Sequence, residues 1–127
     1  MSMGSALRTI VVEDEPLVRL MTEEILASVG CEIAAAASTL DEALGHIAAA
    51  EFDLAVLDIN LAGTEVYPAA ERLRGKGTPI IFVTGYGRRG VRDVWHEFPI
   101  LQKPFSLRDI EQAIAASGAR RRIDGAQ

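Results

Sequence analysis

Short apolar runs alternate with longer amphipathic segments along most of the chain. Five runs have the length of strands, and they cover Thr9 to Val12, Cys31 to Ala36, Leu54 to Leu57, Ile80 to Val83 and Ile100 to Gln102. Runs of this length without a polar face are typical of strands that are buried on both faces of a sheet. The pattern therefore predicts five strands, of which the Ala-rich second is identified mainly by its place between two helices.

Four other segments repeat apolar residues at helical spacing. The predicted helices run from Pro16 to Gly30, from Thr39 to about Ala50, from Val66 to Gly75 and from Ser106 to Gly118. Thr39 with Glu42 forms a capping box, and Ser106 with Asp109 caps the last helix. A further helix over 91–97 is expected to be short or irregular, because polar residues interrupt its apolar pattern. Residues 60–64 and the glycine-rich stretch 85–90 are predicted to be loops.

The alternation of strands and helices indicates the fold class. Strands joined by helices form right-handed crossovers, so the chain is predicted to be an α/β protein with a doubly wound parallel sheet and helices on both faces. With 127 residues the chain has the size of one domain, which we place at residues 7–117. Residues 1–6 and 118–127 are predicted to be a flexible N-terminus and a flexible tail.

Charge and composition exclude several kinds of function. The net charge of −5 argues against nucleic acid or an anionic membrane as the main partner. No apolar stretch approaches the roughly twenty residues of a membrane span, and no signal peptide is recognisable, so a cytoplasmic protein is expected. Cys31 is the only cysteine, which excludes an internal disulfide, and we expect it to be a small buried hydrophobic residue.

Four of the apolar runs lead into polar side chains of complementary chemistry. Glu13-Asp14-Glu15 follows the first run, Asp58 the third, Thr84 the fourth and Lys103 the fifth. The carboxyl ends of parallel strands lie along one edge of a sheet, so these side chains are expected to converge there. Carboxylates suit Mg²⁺, while a hydroxyl and an ammonium group suit phosphoryl oxygens. Without a metal, the crowded carboxylates should raise the pKa of at least one of them.

Each of these features also has an ordinary structural explanation. Acids before Pro16 favour a helix N-terminus, and a single Asp after a strand is common in turns. A Thr in a strand usually packs, and a Lys before Pro usually lies in a surface loop. It is their coincidence at neighbouring strand ends that favours a site.

The motifs that carry these residues resemble the receiver domain of two-component response regulators. They read Val11-Val12-Glu13-Asp14-Glu15, Val56-Leu57-Asp58, Val83-Thr84-Gly85 and Lys103-Pro104-Phe105, and the match spans about residues 7–117. The resemblance implies a flavodoxin-like fold with strand order 2-1-3-4-5. It also implies that Asp58 accepts a phosphoryl group from a histidine kinase or a histidine phosphotransfer protein.

The resemblance assigns a role to each residue of the site. For the metal, Mg²⁺ or Mn²⁺, it implies four ligands, namely Asp14 directly, Glu13 through water, the acceptor Asp58, and the backbone carbonyl of Asn60. Thr84 would hydrogen-bond one phosphoryl oxygen and Lys103 would pair with another. The Lys103-Pro104 peptide bond is expected to be cis.

The chain also departs from the usual receiver pattern. Ile100 and Leu101 stand where most receivers have an aromatic switch residue. The Thr84-Gly85-Tyr86 sequence resembles a variant group of alphaproteobacterial receivers. Gly85 is expected to widen access to Asp58, and Tyr86 either replaces the missing switch or only limits access of water. We hypothesise that the signal passes through ordering of residues 85–97 on phosphorylation.

Two other functions remain open at this point. A phosphatase of the haloacid dehalogenase type also uses Asp, Mg²⁺, Thr and Lys, but it needs an acid where this chain has Asn60. A receiver-like module could bind a partner protein without phosphorylation. We expect a stand-alone receiver, monomeric or weakly dimeric, whose only catalysis is its own phosphorylation and dephosphorylation.

Overall fold

The computed structural model describes residues 6–120. Its strands are β1 (Leu7–Val12), β2 (Cys31–Ala37), β3 (Leu54–Asp58), β4 (Asn60–Leu61), β5 (Thr64–Glu65), β6 (Ile80–Thr84) and β7 (Ile100–Gln102). Its α-helices are α1 (Pro16–Ser28), α2 (Leu40–Ala49), α3 (Tyr67–Gly75) and α4 (Leu107–Ser117). These bounds agree with the predicted helices and strands to within a few residues. The predicted tail lies mostly outside the described residues, as does most of the predicted N-terminal segment.

Five of the strands form one parallel sheet in the order β2-β1-β3-β6-β7. Counting only these five, the order is 2-1-3-4-5, so the expected flavodoxin-like topology is confirmed. Because all five strands run in the same direction, their carboxyl ends share one edge, which is where β1, β3 and β6 reach the predicted site residues.

The core lies on both faces of the sheet, as predicted. Along β1, Ile10 and Val12 pack on the face covered by α2 and α3, whereas Leu7 and Val11 pack on the face covered by α1 and α4. Cys31 is buried in the second of these clusters, which confirms its expected place in the core. No helix within residues 6–120 is long and apolar enough to span a membrane.

The segment predicted to be a loop after β3 is a small antiparallel hairpin. β4 and β5 pair through Asn60 with Glu65 and Leu61 with Thr64. The connecting residues Ala62 and Gly63 both have positive φ, 54° and 94°, which is the left-handed backbone that two-residue hairpins require. The hairpin was missed because alanine rarely adopts this conformation and gives no turn signal.

The segment after β6 contains two short 3₁₀ turns, Gly87–Gly90 and Asp93–Trp95, so the expectation of a short or irregular helix is confirmed. It is anchored by Trp95, which is only 2% exposed and stacks on the ring of Tyr67 at 6.0 Å between centroids.

The helix caps also follow the sequence, with one correction. Ser106 and Asp109 form a complete capping box, whereas the Glu42 carboxylate accepts from the amide of Ser38 instead of Thr39.

Candidate functional site

The carboxyl edge of the sheet brings the predicted acids and the lysine together. Carboxylate oxygens of Glu13, Asp14 and Asp58 all lie within 4.8 Å of one another. The Lys103 Nζ is 3.0 Å from Glu13 Oε1 and 3.4 Å from Asp58 Oδ1. Three negative groups and one positive group therefore share a small volume at the ends of three strands.

Backbone hydrogen bonds hold these side chains in place. The amide of Lys103 donates to the carbonyl of Thr84, 2.9 Å away, so the lysine starts beside the end of β6. The Lys103-Pro104 peptide bond is cis, as expected. The second oxygen of Glu13 accepts a hydrogen bond from the backbone amide of Glu15 at 3.2 Å. Both oxygens of Glu13 are thus engaged.

Burial and crowding change the protonation behaviour of the cluster. Burial, followed by the negative charge of Glu13, raises the pKa of Asp58 from 3.8 to about 7, although Lys103 acts in the opposite direction. Burial alone would lower the pKa of Lys103, but its hydrogen bond to Glu13 and the charge of Asp58 outweigh this and raise it. Lys103 is therefore held as an ammonium ion, and the expected pKa rise within the acidic cluster is confirmed at Asp58.

Thr84 reaches the same site from the end of β6. A cavity of about 160 Å³ has Asp58 and Thr84 in its wall, together with Ile59, Asn60, Glu65, Gly85, Tyr86 and Gly90. The Thr84 side chain is buried, and its Oγ1 accepts a hydrogen bond from the amide of Tyr86 at 3.1 Å. The cavity brings the Asp58 carboxylate and the Thr84 hydroxyl to one opening on the protein surface.

The remaining predicted residues surround this opening. Asn60 lies in the wall of the cavity, and its side-chain oxygen accepts from the amide of Gly63 at 2.6 Å, within the hairpin turn. A Cβ on Gly85 would meet no atom within 4 Å, and Tyr86 is 76% exposed at the mouth of the cavity. Ile100, in the position of the missing aromatic, is half-buried and packs against the core. The predicted roles of Gly85 and Tyr86 stay predictions.

Sequence reasoning missed three residues that line the cavity, of which Ile59 is the apolar residue that directly follows Asp58. Glu65 comes from the hairpin, and its carboxylate is bound by the guanidinium of Arg92. Gly90 lies against Thr84, although the sequence marked it only as part of a flexible loop. Glu65 gave no signal in the sequence, whereas the spacing of the glycines after β6 was a partial signal for Gly90.

An apolar groove of about 290 Å³ adjoins the site on the side of Lys103. Its walls come from α1 and from the segment after β7, and they consist of Val18, Met21, Thr22, Ile25, Lys103, Pro104 and Phe105. Leu17, Leu20 and Met21 of α1 are at least half exposed nearby. Exposed apolar side chains grouped beside a functional cavity are a common feature of protein-binding surfaces.

Comparison with known protein families gives one match that covers most of the chain. The model of the response regulator receiver domain matches residues 9–115. Among curated proteins, the sensory transduction protein LytR of Staphylococcus haemolyticus is 30% identical over 112 residues, which are 85% of this chain and 44% of LytR. The transcriptional regulatory protein PdtaR of Mycobacterium tuberculosis is 29% identical over 117 residues, which are 89% of this chain and 57% of PdtaR. The chain spans about half the length of these curated relatives.

Solved structures give the same result at the level of the whole fold. The solution structure of SdrG from Sphingomonas melonis superposes with a TM-score of 0.80 at 33% identity, covering 91% of this chain and 98% of SdrG. A BeF₃-activated conformation of SdrG superposes with a TM-score of 0.76 at 34% identity, with the same coverage. The receiver domain of PhyR from Erythrobacter litoralis has a TM-score of 0.74 at 26% identity, covering 89% of this chain and 90% of that domain.

Proposed function

The chain belongs to the response regulator receiver domain family, and from this premise we propose that it accepts a phosphoryl group on Asp58 from a histidine kinase or a histidine phosphotransfer protein, with the help of Mg²⁺. Receiver domains are signalling modules of two-component systems and not metabolic enzymes. The observation that carries the proposal is the placement of the Asp58 carboxylate, which shares a cavity with Thr84 and lies 3.4 Å from the ammonium group of Lys103.

The donor set fits a hard divalent cation. Three carboxylates within 4.8 Å of one another repel unless they are protonated or bind a positive charge, and oxygen ligands are those that Mg²⁺ and Mn²⁺ prefer. Glu13, Asp14 and Asp58 would hold the ion with their carboxylates, and the backbone carbonyl of Asn60 would complete the set. When bound, the ion would supply positive charge to the phosphoryl oxygens during transfer.

In this proposal each side chain of the site has a separate role in phosphoryl transfer. An ionised Asp58 oxygen attacks phosphorus in line with the leaving imidazole of the donor, so a lower pKa of Asp58 favours the reaction. Lys103 lowers that pKa, and in this proposal it pairs with one phosphoryl oxygen while the Thr84 hydroxyl donates to another; the Lys103–Asp58 contact and the cavity wall shared by Thr84 and Asp58 support these roles. Tyr86, at the mouth of the cavity, is in a position to limit the approach of hydrolytic water.

Magnesium is expected to stabilise the folded protein. Millimolar Mg²⁺ should raise the midpoint of thermal unfolding at pH 8 by several degrees, because an ion that binds only the folded state shifts the unfolding equilibrium. The measurement is a thermal melt with and without MgCl₂. Asp14→Asn should lose most of the shift, whereas Glu15→Gln, which alters an exposed neighbouring acid, should keep it. An equal shift in wild type and Asp14→Asn would refute this metal assignment.

The apolar groove beside Lys103 supports a protein as the phosphoryl donor. A donor imidazole must approach Asp58 closely, so the donor protein must cover the surface around the cavity, and this surface includes the exposed side chains of α1. We expect Met21→Glu to slow transfer from a phosphorylated histidine phosphotransfer protein about tenfold or more, and to leave labelling by phosphoramidate, a small donor, unchanged.

The matched control for the groove is Val94→Glu. Val94 is as exposed as the residues of α1 but lies in the second 3₁₀ turn, away from the groove. Val94→Glu should leave the rate of transfer from the protein donor and the rate of labelling by phosphoramidate close to those of wild type. If Met21→Glu and Val94→Glu slowed transfer from the protein donor to the same extent, the groove would not be the docking surface.

The function as a whole is tested by phosphotransfer profiling. Each histidine kinase and phosphotransfer protein of the source organism is phosphorylated with labelled ATP and mixed with the chain for a short time. We expect one donor, or a few, to transfer the label within seconds. Failure of every donor and of phosphoramidate would leave a receiver fold that binds partners without phosphorylation.

A further inference from the structure

The backbone at Gly90 passes so close to Thr84 that no other residue fits there without a rearrangement. A Cβ on Gly90 would lie 2.3 Å from Thr84 Oγ1, 3.3 Å from Thr84 Cβ and 3.1 Å from Tyr86 Cβ. Gly90 is not among the glycines with positive φ, so a left-handed backbone is not the reason for glycine at this position. Glycine is therefore needed at this position for space, and the space is occupied by the Thr84 hydroxyl.

The Thr84 hydroxyl is fixed by the same segment. Its oxygen accepts from the amide of Tyr86 at 3.1 Å, and the side chain is 3% exposed. A hydroxyl that accepts at one lone pair keeps its proton free to donate elsewhere. Thr84 and Asp58 line one cavity. The hydrogen bond from the Tyr86 amide and the space beside Gly90 together determine the direction in which the Thr84 hydroxyl can donate its proton.

The backbone that follows Gly90 is also held in place by contacts, so the space between Gly90 and Thr84 does not widen easily. Val91 is buried, and its carbonyl lies 2.7 Å from Nε2 of His96. The amide of Arg92 donates to the hydroxyl of Tyr67 at 2.9 Å, and its guanidinium lies over the Tyr67 ring. A Cβ at position 90 would therefore displace the Thr84 hydroxyl more readily than the backbone.

We propose that Gly90 is a positioning residue for phosphoryl binding, because the space that its missing side chain leaves holds the Thr84 hydroxyl where it can donate to a phosphoryl oxygen on Asp58. This inference rests on the proposed function. It adds a residue outside the strand ends, and it assigns part of the site to the segment after β6. Gly90 acts only through Thr84 and does not itself contact the phosphoryl group.

The test compares beryllofluoride binding, with Mg²⁺, in the full chain and in variants. Gly90→Ala should weaken binding of this phosphoryl mimic about tenfold or more, the size expected for loss of one hydrogen bond to a charged group. Thr84→Ala should weaken it to a similar extent. In the Thr84→Ala background the added Gly90→Ala should have little further effect, since the displaced hydroxyl is already absent. Gly45→Ala in α2, where a Cβ meets no atom within 4 Å, is the control and should bind as wild type.

A second measurement does not depend on the mimic. Hydrogen exchange of the Tyr86 amide should be faster in Gly90→Ala and in Thr84→Ala than in wild type, and equal in the double variant and Thr84→Ala. Exchange at Trp95, whose amide bonds to the carbonyl of Arg92, should not change. Faster exchange throughout residues 85–98 would mean that the alanine only loosens the segment, and would overturn the proposal.

The remaining outcomes are also decisive. Independent, additive losses in the two single variants, or tighter binding in Gly90→Ala, would overturn the positioning role. If Gly90→Ala does not fold but the double variant does, the hydroxyl is the obstacle and the proposal stands; if neither folds, it falls. If wild type binds no beryllofluoride, the proposed function fails, and the Tyr86 exchange rates still decide whether Gly90 positions the Thr84 hydroxyl.

Discussion

Asp58→Asn is expected to abolish labelling by phosphoramidate in the presence of Mg²⁺, with a loss of at least about a hundredfold. An amide oxygen is a far weaker nucleophile than a carboxylate, and no other acid of the cluster combines the cavity wall with contact to Lys103. The measurement is the rate of phosphoryl incorporation, followed by intact-protein mass spectrometry.

Glu15→Gln is the matched control for this experiment. Glu15 is a neighbouring acid of the same cluster region, but it is exposed and its side chain does not line the cavity. Its rate of labelling should stay within about twofold of wild type, as is usual for exposed substitutions. Labelling of Asp58→Asn at the wild-type rate would remove Asp58 as the acceptor.

Asp58→Asn is also expected to stabilise the folded protein when no divalent cation is added. The pKa of Asp58 is about 7 in the folded protein, against 3.8 for an unperturbed Asp. Between these two values the folded state holds a proton that the unfolded state has released, so the contribution of Asp58 to stability is highest below pH 3.8 and is lost as pH rises towards 7. The loss is complete above the folded pKa.

Asp58→Asn removes this titration. Relative to wild type, its free energy of unfolding should be similar near pH 4, rise between about pH 4 and 7, and be higher by about 1–2 kcal/mol at pH 8. This is less than the full pKa shift would give, because water and salt screen a partly hydrated carboxylate. Urea unfolding at a series of pH values in EDTA measures it. A constant difference at all pH values would mean that Asp58 does not titrate with the raised pKa.

The order of strands and helices was largely predictable because hydrophobic periodicity reflects burial directly. β3 and β6 are fully buried and read as continuous apolar runs, and α4 begins at the capping box of Ser106. The strand order 2-1-3-4-5 came from the family resemblance, since periodicity does not say which strands are neighbours. The β4–β5 hairpin was not predicted because its turn uses Ala62 in a left-handed conformation, which alanine rarely adopts and the sequence does not signal.

The residues of the site were also only partly predictable from the sequence. Asp58 and Lys103 could be predicted because each follows a strand, and the edge of a parallel sheet brings such residues together. Glu65 and Gly90 could not, because their positions depend on contacts across the fold, with Arg92 and with Thr84. A residue that matters for the space it leaves, as Gly90 does, has no chemical signature in the sequence.

The segment after β6 connects the site with the surface of the domain. Tyr86 at the cavity mouth and Trp95 in the core belong to it, and Arg92 ties it to the start of α3 through Tyr67. The hypothesis that phosphorylation orders residues 85–97 remains a prediction. Since Trp95 is already buried, we expect any ordering to be concentrated in the exposed part near Tyr86. Equal exchange protection of residues 85–97 with and without beryllofluoride would contradict the hypothesis.

The most direct measurement maps the phosphoryl group itself. The chain is phosphorylated by the donor that profiling identifies and is then reduced with borohydride, which converts the aspartyl phosphate to homoserine and releases phosphate. The product is digested and sequenced by mass spectrometry to find the homoserine. The modification should fall on Asp58 alone, with close to one group per chain at short times. Modification at any other residue, or none with a donor that phosphorylates another receiver in parallel, would show that Asp58 is not the phosphoacceptor.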